Sequence, residues 1–380
     1  MRNVNAGDEI TIRPTELVAG GDALARIDGF PIFAPNIYPG DVAVVRLHEV
    51  KKGFAKADLV RIIEPSPWRR ASPCPVAEEC GGCDWTALRL DKQLEAKRRI
   101  LSESLRRIGK FDVASLPPIA MHPSPLNYRI RSRLHRDGDA VGFYAMRSNR
   151  VVPLPRECEV VGVQTAKRFS GAPPPSAALS RRFAAEGGGA PLSVWEVDGR
   201  LITDGALTIE GYYVTTDAFF QVNRHLLQTM LRLVSTHAGR VQRRDVAIDL
   251  YSGVGFFTVP LAGAFRQVIA VEGSRASHEC AKRNVPANVT LMNTPIEAYE
   301  MSEADFIFLD PPRAGARKEV VGAIGEKARE IVCYLSCDPV TFSRDASRLT
   351  ASGWRLSTLD LLDLFPNTHH VETLASFERA

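Results

Sequence analysis

Residues Val246 to Ala262, VAIDLYSGVGFFTVPLA, decide the fold. A short apolar run ends in Asp249, Gly253-Val254-Gly255 follows as a turn, and an apolar segment of helical character comes next. This reads as buried strand, tight loop and helix, the opening unit of a doubly wound α/β sheet. The two glycines let the backbone close against a ligand, and the helix start beyond them offers free N–H groups to something polar or anionic. Thr258 stands where a dinucleotide fingerprint has its third glycine. On its own the motif leaves a structural turn or another nucleotide site open.

Further strands follow in the order such a sheet requires. QVIAVEGS ends in Glu272, and a carboxylate at the tip of the second strand accepts hydrogen bonds from ribose hydroxyls. ADFIFLDPPRAG ends in Asp310-Pro311-Pro312-Arg313, where the two prolines stop the strand and stiffen the loop. EIVCYLSCDPVTFSRD puts Cys337 directly after an apolar run, at the carboxyl end where ligands of this fold bind; Cys333 and Cys280 read as core. GWRLSTLDLLDLFP and VETLASFER read as a closing antiparallel hairpin. Upstream, Phe219 and Phe220 read as core, Gln221 to Asn223 as a helix start, and an amphipathic helix runs on to about His237.

The chain has 380 residues, enough for two or three domains, and a net charge of +4, which permits a polyanionic partner without demanding one. No signal peptide or spanning apolar run is evident, so a cytoplasmic protein with no membrane role is expected. Seven cysteines, three of them crowded as Cys74, Cys80 and Cys83, suit a reducing compartment and a metal site, with Cys158 as the fourth soft ligand. Residues 7–63 alternate short β-rich runs with Gly, Pro and Asp turns, the pattern of a small β-barrel. Leu88 to Lys110 reads as a helix stopped by Gly109, with Lys97, Arg98, Arg99, Arg106 and Arg107 on a basic face that either follows phosphates or is merely solvated. Asn127 to Arg133 reads as a strand with basic residues on one side, and GAPPPSAALSRRFAAEGGGAPLSV as a surface linker.

Together these motifs resemble the RNA (uracil-5-)-methyltransferases, which depend on S-adenosyl-L-methionine. Gly20-Gly21-Asp22-Ala23 with Pro39-Gly40-Asp41 is similar to the TRAM domain, an OB-like RNA-binding barrel, although a barrel that only packs or dimerises fits the same residues. The resemblance implies an α/β fold, a Rossmann-like methyltransferase domain at 216–380 behind a TRAM domain at 1–64 and a central iron–sulfur domain at 65–215. It also implies a [4Fe–4S] cluster on Cys74, Cys80, Cys83 and Cys158. Zinc or free thiols remain open on the residues alone. Cofactor contacts are implied for Gln221, Asp249, Tyr251, Gly253, Gly255, Glu272 and Asp310.

Ser336-Cys337-Asp338-Pro339-x-Thr341 is the most specific element of the resemblance. Carbon 5 of uracil is too weak a nucleophile to take a methyl group unaided. A thiolate added at carbon 6 delocalises charge onto carbon 5, and a base must afterwards remove the carbon 5 proton. The family places Cys337 in the first role and Glu372 in the second, with His369, His370, water or another carboxylate as chemical competitors for the base. The implied partner is RNA, 23S rRNA ahead of transfer RNA, acted on by a monomer. A noncatalytic RNA-binding protein is the reading from another class.

Overall fold

The computed structural model describes residues 4–170 and 191–379. Its first part is built from β1 (Glu9–Ile12), β2 (Glu16–Leu17), β3 (Ala23–Ile27), β4 (Phe30–Ala34), β5 (Val42–Val50) and β6 (Ala55–Glu64). These form one sheet in the order β1-β5-β6-β4-β3-β2, antiparallel except for β4 with β6. Small buried residues such as Ala23, Ala25, Ala43, Ala55 and Ala57 let it curl tightly around Ile12, Ile32 and Val45. Asp41, of the Pro39-Gly40-Asp41 turn, is fully buried and clasps the chain that leaves the barrel. It accepts the Ser66 N–H at 2.7 Å and both Nε and Nη2 of Arg69 at 2.7 Å.

The helix Leu90–Arg107 follows, then β7 (Ile119–His122). A five-stranded sheet comes next, from β8 (Arg131–Asp137), β9 (Ala140–Tyr144), β10 (Val151–Pro153), β11 (Leu192–Val197) and β12 (Arg200–Ile202), in the order β10-β9-β8-β11-β12. The expected strand over Asn127–Arg133 therefore begins only at Arg131. Asn127 has φ 54°, and its carboxamide donates to the Cys158 and Val161 carbonyls at 3.0 and 2.9 Å, which ties that segment to the cysteine region instead of a sheet. Most of the expected linker, residues 171–190, lies outside the described residues, but its last residues are not linker: Leu192 opens β11.

Two further expectations are corrected. Lys97 is not on a basic surface; it is fully buried, and the helix's outward cations are partly spent on neighbours, Arg106 and Arg107 on Glu103 and Arg99 on Glu16. Gln221–Asn223 do not start a helix. The helix runs from Leu227 to Gly239, and Phe219 is 57% exposed rather than core.

The last part comprises a hairpin, β13 (Ala206–Ile209) and β14 (Tyr212–Thr215), then β15 (Val246–Leu250), β16 (Gln267–Val271), β17 (Val289–Met292), β18 (Ala304–Leu309), β19 (Ala328–Ser336), β20 (Trp354–Leu362) and β21 (Glu372–Arg379). The hairpin is a two-stranded sheet of its own, and β15 to β21 form one eight-stranded sheet with β7 in the order β17-β16-β15-β18-β19-β21-β20-β7. Strands β15 to β19 pair in parallel, and β21 slots antiparallel between β19 and β20. Two segments ahead of residue 216 pack with this part: β7 pairs with β20, and Tyr212 of the hairpin donates to the Phe256 carbonyl at 3.0 Å. One face of the sheet shares a core with the barrel and the helix Leu90–Arg107; the other packs on the hairpin and the helix Leu227–Gly239. Among the described residues no helix is long and apolar enough to cross a membrane.

Candidate active site

Strands β15, β18 and β19 end side by side, and their carboxyl ends carry the site. Asp310 leaves β18 with its N–H bonded to the Leu250 carbonyl at 3.3 Å, so the Asp-Pro-Pro loop turns across the end of β15. In the antiparallel β19–β21 pair Ser336 faces Thr373. Cys337 lies one residue past Ser336 and Glu372 one residue before Thr373, so thiol and carboxyl emerge opposite each other. Asp338 then caps the helix Pro339–Ala351, accepting the N–H groups of Val340 and Thr341 at 3.0 and 2.9 Å, and Pro339 fills the first turn. This cap fixes the turn that holds Cys337 above the sheet. Thr341 Oγ1 donates to the Arg313 carbonyl at 3.2 Å and latches the proline loop to the same turn.

The three groups share one desolvated space. Burial, followed by the Glu372 and Asp310 carboxylates, pushes the Cys337 thiol up to about 12. Burial and then Asp310 hold the Glu372 carboxyl well above its ordinary value, against the opposing charge of Lys97. Asp310 is raised to about 7 by burial, while the Gln221 Nε2 donor, 2.9 Å from Oδ2, pulls the other way. A cation entering this space would relieve all three.

The loop after β15 is shaped for a ligand. Tyr251 adopts φ 62°, a strained conformation for a residue with a side chain, and Gly253 and Gly255 follow at φ 59° and 89°. Any Cβ on Gly255 would meet Val285 Cγ1 at 2.9 Å. Glu272 is positioned by the Gly253 N–H at 2.8 Å and the Ser274 N–H at 2.5 Å. Asp249 is fully buried; burial, with Asp310 and Glu272 adding to it, raises its carboxyl to about 8. Thr258 Oγ1 donates to its Oδ2, while Oδ1 is buried without a partner.

Cys74, Cys80, Cys83 and Cys158 line one pocket, whose other walls include Phe143, Val152, Leu154 and Val160. Burial raises the first three thiols, with Cys158 adding to each. Among the described residues no three or more His, Cys, Asp or Glu side chains are gathered closely enough for a single metal ion.

The residues expected from the sequence thus fall into two groups. Cys337, Glu372, Asp310, Gln221, Asp249, Tyr251, Gly253, Gly255 and Glu272 gather at the strand ends; the four cysteines gather at the pocket. Sequence reading missed what joins the groups. Asn367 is fully buried in the loop before Glu372, and its carbonyl accepts the N–H groups of Asp84 and Trp85 at 3.2 and 3.0 Å. Asp84 also accepts His369 N–H at 3.0 Å and bonds its Nδ1. Gly21 packs so closely here that a Cβ would lie 2.6 Å from Asp84 Oδ2 and 3.0 Å from His369 Cβ, so the barrel's double glycine abuts the loop leading to Glu372. His370, by contrast, is driven down to about 4 by burial and by His369.

Comparison with known proteins agrees with this architecture. Residues 4–60 match the TRAM domain, and residues 201–304 and 289–380 match tRNA (Uracil-5-)-methyltransferase. An uncharacterized RNA methyltransferase of Gloeobacter violaceus is 30% identical, with 98% of this chain and 97% of that protein covered. A 23S rRNA (uracil(1939)-C(5))-methyltransferase of Shewanella sediminis is 29% identical over 97% of this chain and 96% of its own length. The crystal structure of Pyrococcus abyssi tRNA (uracil-54, C5)-methyltransferase in complex with S-adenosyl-L-homocysteine superposes with a TM-score of 0.71 at 23% identity, covering 97% of this chain and 99% of that one. With near full-length relatives and both of its matched segments in sequence order, the chain belongs to the RNA (uracil-5-)-methyltransferase family and carries a TRAM domain ahead of the methyltransferase part.

Proposed function

We propose that this enzyme transfers a methyl group from S-adenosyl-L-methionine to carbon 5 of a uridine in RNA. The observation that carries this reading is the pairing of Cys337 with Glu372 across the end of β19 and β21, beside Asp310. A nucleophile and a proton acceptor on opposite sides of one small space are what addition at carbon 6 and deprotonation at carbon 5 require.

S-adenosyl-L-methionine supplies the electrophilic methyl group and a positive charge. The unpartnered Asp249 oxygen, the Gly253–Gly255 cradle and the Glu272 carboxylate support this fit, with Tyr251, Gln221 and Asp310 lining the way to the reacting atoms. Cys337 is a protonated thiol in the free protein, and the incoming positive charge favours its thiolate. The thiolate then bonds to carbon 6, and the electron pair displaced onto carbon 5 takes the methyl group as its bond to the donor's sulfonium sulfur breaks, the sulfur keeping that pair and leaving as neutral S-adenosylhomocysteine. Glu372 next accepts the carbon 5 proton, the carbon 6–sulfur bond breaks, and the thiolate is restored. His370, depressed to about 4, is too weak a base to replace Glu372.

Uracil must be single-stranded or flipped out to reach Cys337. The TRAM barrel at 1–64 and the cysteine-bearing part at 65–215 hold the surrounding RNA in this reading, and the Shewanella relative favours 23S rRNA over transfer RNA. For the cysteine pocket, the four thiols lining one largely apolar cavity are the ligand set for a [4Fe–4S] cluster in this reading, with zinc as the alternative.

RNA containing 5-fluorouridine tests the chemistry, since it has no proton to lose at carbon 5. A denaturant-resistant conjugate should form with wild-type enzyme and not with Cys337→Ala. Turnover of ordinary RNA without any such conjugate would overturn the covalent route. Mapping 5-methyluridine in rRNA and tRNA from a deletion strain identifies the substrate.

A further inference from the structure

We propose that Lys97, on a helix outside the methyltransferase sheet, is a positioning residue for Glu372: it anchors the segment leading into Glu372 and presents a buried positive charge to its carboxylate. This rests on the reading of Glu372 as the base.

Lys97 has no exposed surface, and Asp363 and Glu372 are only 3% and 5% exposed. Its Nζ donates to Asp363 Oδ1 at 2.6 Å and to the Phe365 carbonyl at 3.0 Å, with the Trp85 ring 5.9 Å away. Both acceptors belong to the stretch between the end of β20 and Glu372, the first residue of β21. Gln93, one helical turn earlier on the same face, holds Asn367 further along that stretch. The helix therefore grips the loop at three places.

A buried ion pair of this kind adds little stability beyond what apolar residues of the same volume would give. Its electrical effect is another matter. The ionisable groups facing Glu372 are the Cys337 thiol, the Asp310 carboxyl and Lys97, with Asp363 partly offsetting Lys97 and His370 held neutral nearby. Lys97 is thus the cation that opposes burial and Asp310 at the base. Glu372 accepts a proton only as a carboxylate, so loss of Lys97 should move the acid limb of proton abstraction to higher pH.

The test is tritium release from RNA labelled at carbon 5 of uridine, followed from pH 6 to 9 in single turnovers. Lys97→Met should release tritium roughly tenfold or more slowly than wild type at pH 6.5 and within about twofold at pH 9. It should also accumulate a methylated Cys337–RNA conjugate at the lower pH. Lys97→Arg should keep the wild-type limb. The double variant Lys97→Met/Asp363→Leu removes both charges together and leaves none unpaired, so it serves if the single variant does not fold; because Asp363 partly offsets Lys97, its limb should shift the same way but by less. A wild-type limb in either apolar variant, with rates unchanged or lowered equally at all pH values, overturns the proposal. Glu372→Gln separates the two readings: if it fails to trap the methylated conjugate, the base assignment itself is wrong.

Discussion

Gln93 and Asn367 hold each other by a reciprocal pair of hydrogen bonds, Gln93 Nε2 to Asn367 Oδ1 at 3.0 Å and Asn367 N–H to Gln93 Oε1 at 2.7 Å. The remaining donor of Asn367, Nδ2, reaches Glu159 Oε2 at 2.9 Å. Glu159 follows Cys158, and the Asp84 and Trp85 amides on the Asn367 carbonyl follow Cys83. One buried asparagine therefore gathers both cysteine-bearing segments and the helix Leu90–Arg107 onto the loop that delivers Glu372. Pocket and proposed catalytic centre thus share one buried hydrogen-bond network.

Asn367→Ala should be among the more damaging single substitutions. It removes several buried side-chain hydrogen bonds and leaves Gln93 and Glu159 short of partners, while φ 66° is unfavourable for alanine. A loss of about 3 kcal/mol in unfolding free energy is expected from denaturant titration. Asn367→Gly relieves the backbone strain alone and should recover about 1 kcal/mol of that loss.

The two glycines of the loop after β15, the proposed cofactor site, should respond differently. Gly255→Ala meets both a φ of 89° and a Cβ contact at 2.9 Å to Val285, whereas Gly253→Ala, at φ 59°, has open space around it. Thermal unfolding should therefore show a stability loss of about 2 kcal/mol for Gly255→Ala and about 1 kcal/mol for Gly253→Ala. Calorimetry with S-adenosylhomocysteine should show weakened binding for Gly255→Ala by roughly tenfold, since the displaced loop carries Tyr251 and the Glu272 partner Gly253.

Asp249 gives a pH signature. Its carboxyl ionises near 3.8 in an exposed setting but is raised to about 8 in the fold by burial. Between those values the unfolded chain has released a proton that the folded chain retains, so this group's contribution makes the free protein less stable as pH rises, levelling off above 8. Each pH unit within the window removes at most about 1.4 kcal/mol. Asp249→Asn does not titrate and can still accept from Thr258. Its melting temperature relative to wild type should rise from pH 5 to pH 8, and a gap constant with pH would refute the assignment.

The catalytic half was legible in the sequence because its chemistry sits at strand ends, where an apolar run breaks into Asp249, Asp310 or Cys337. Lys97 was not, because periodicity counts lysine as polar and so assigns it to the outer face. Its position between Ala96 and Ile100–Leu101, all buried, was the available signal. Asn367 and Asp84 carry no local pattern at all, since their partners lie far away in the chain. Phe219 and Gln221 misled for another reason: their segment is neither strand nor helix but is held by Asn223, whose Nδ2 donates to the Leu364 carbonyl at 2.8 Å. Long-range anchoring of this sort outweighs local propensity.

Cys158→Ser tests the link from pocket to catalytic loop. If the four thiols hold one cluster, this variant loses the visible absorption of the anaerobically purified protein, and Glu159 is freed to shift. Glu159 otherwise accepts Arg70 Nη2 at 2.7 Å as well as Asn367 Nδ2, so the disturbance reaches the loop before Glu372. The glycine loop between β15 and β16, the proposed cofactor site, shares none of these bonds. Methyl transfer should consequently fall at least about tenfold while affinity for S-adenosylhomocysteine stays within about twofold. Equal losses in both would mark a globally unfolded variant, which the unfolding curve of the same sample checks, and unchanged methyl transfer in protein that has lost the absorption would mean that the pocket and the base are not coupled through Asn367. Colourless wild-type protein holding stoichiometric zinc would replace the cluster by a zinc site and leave the coupling argument to be read from the same two measurements.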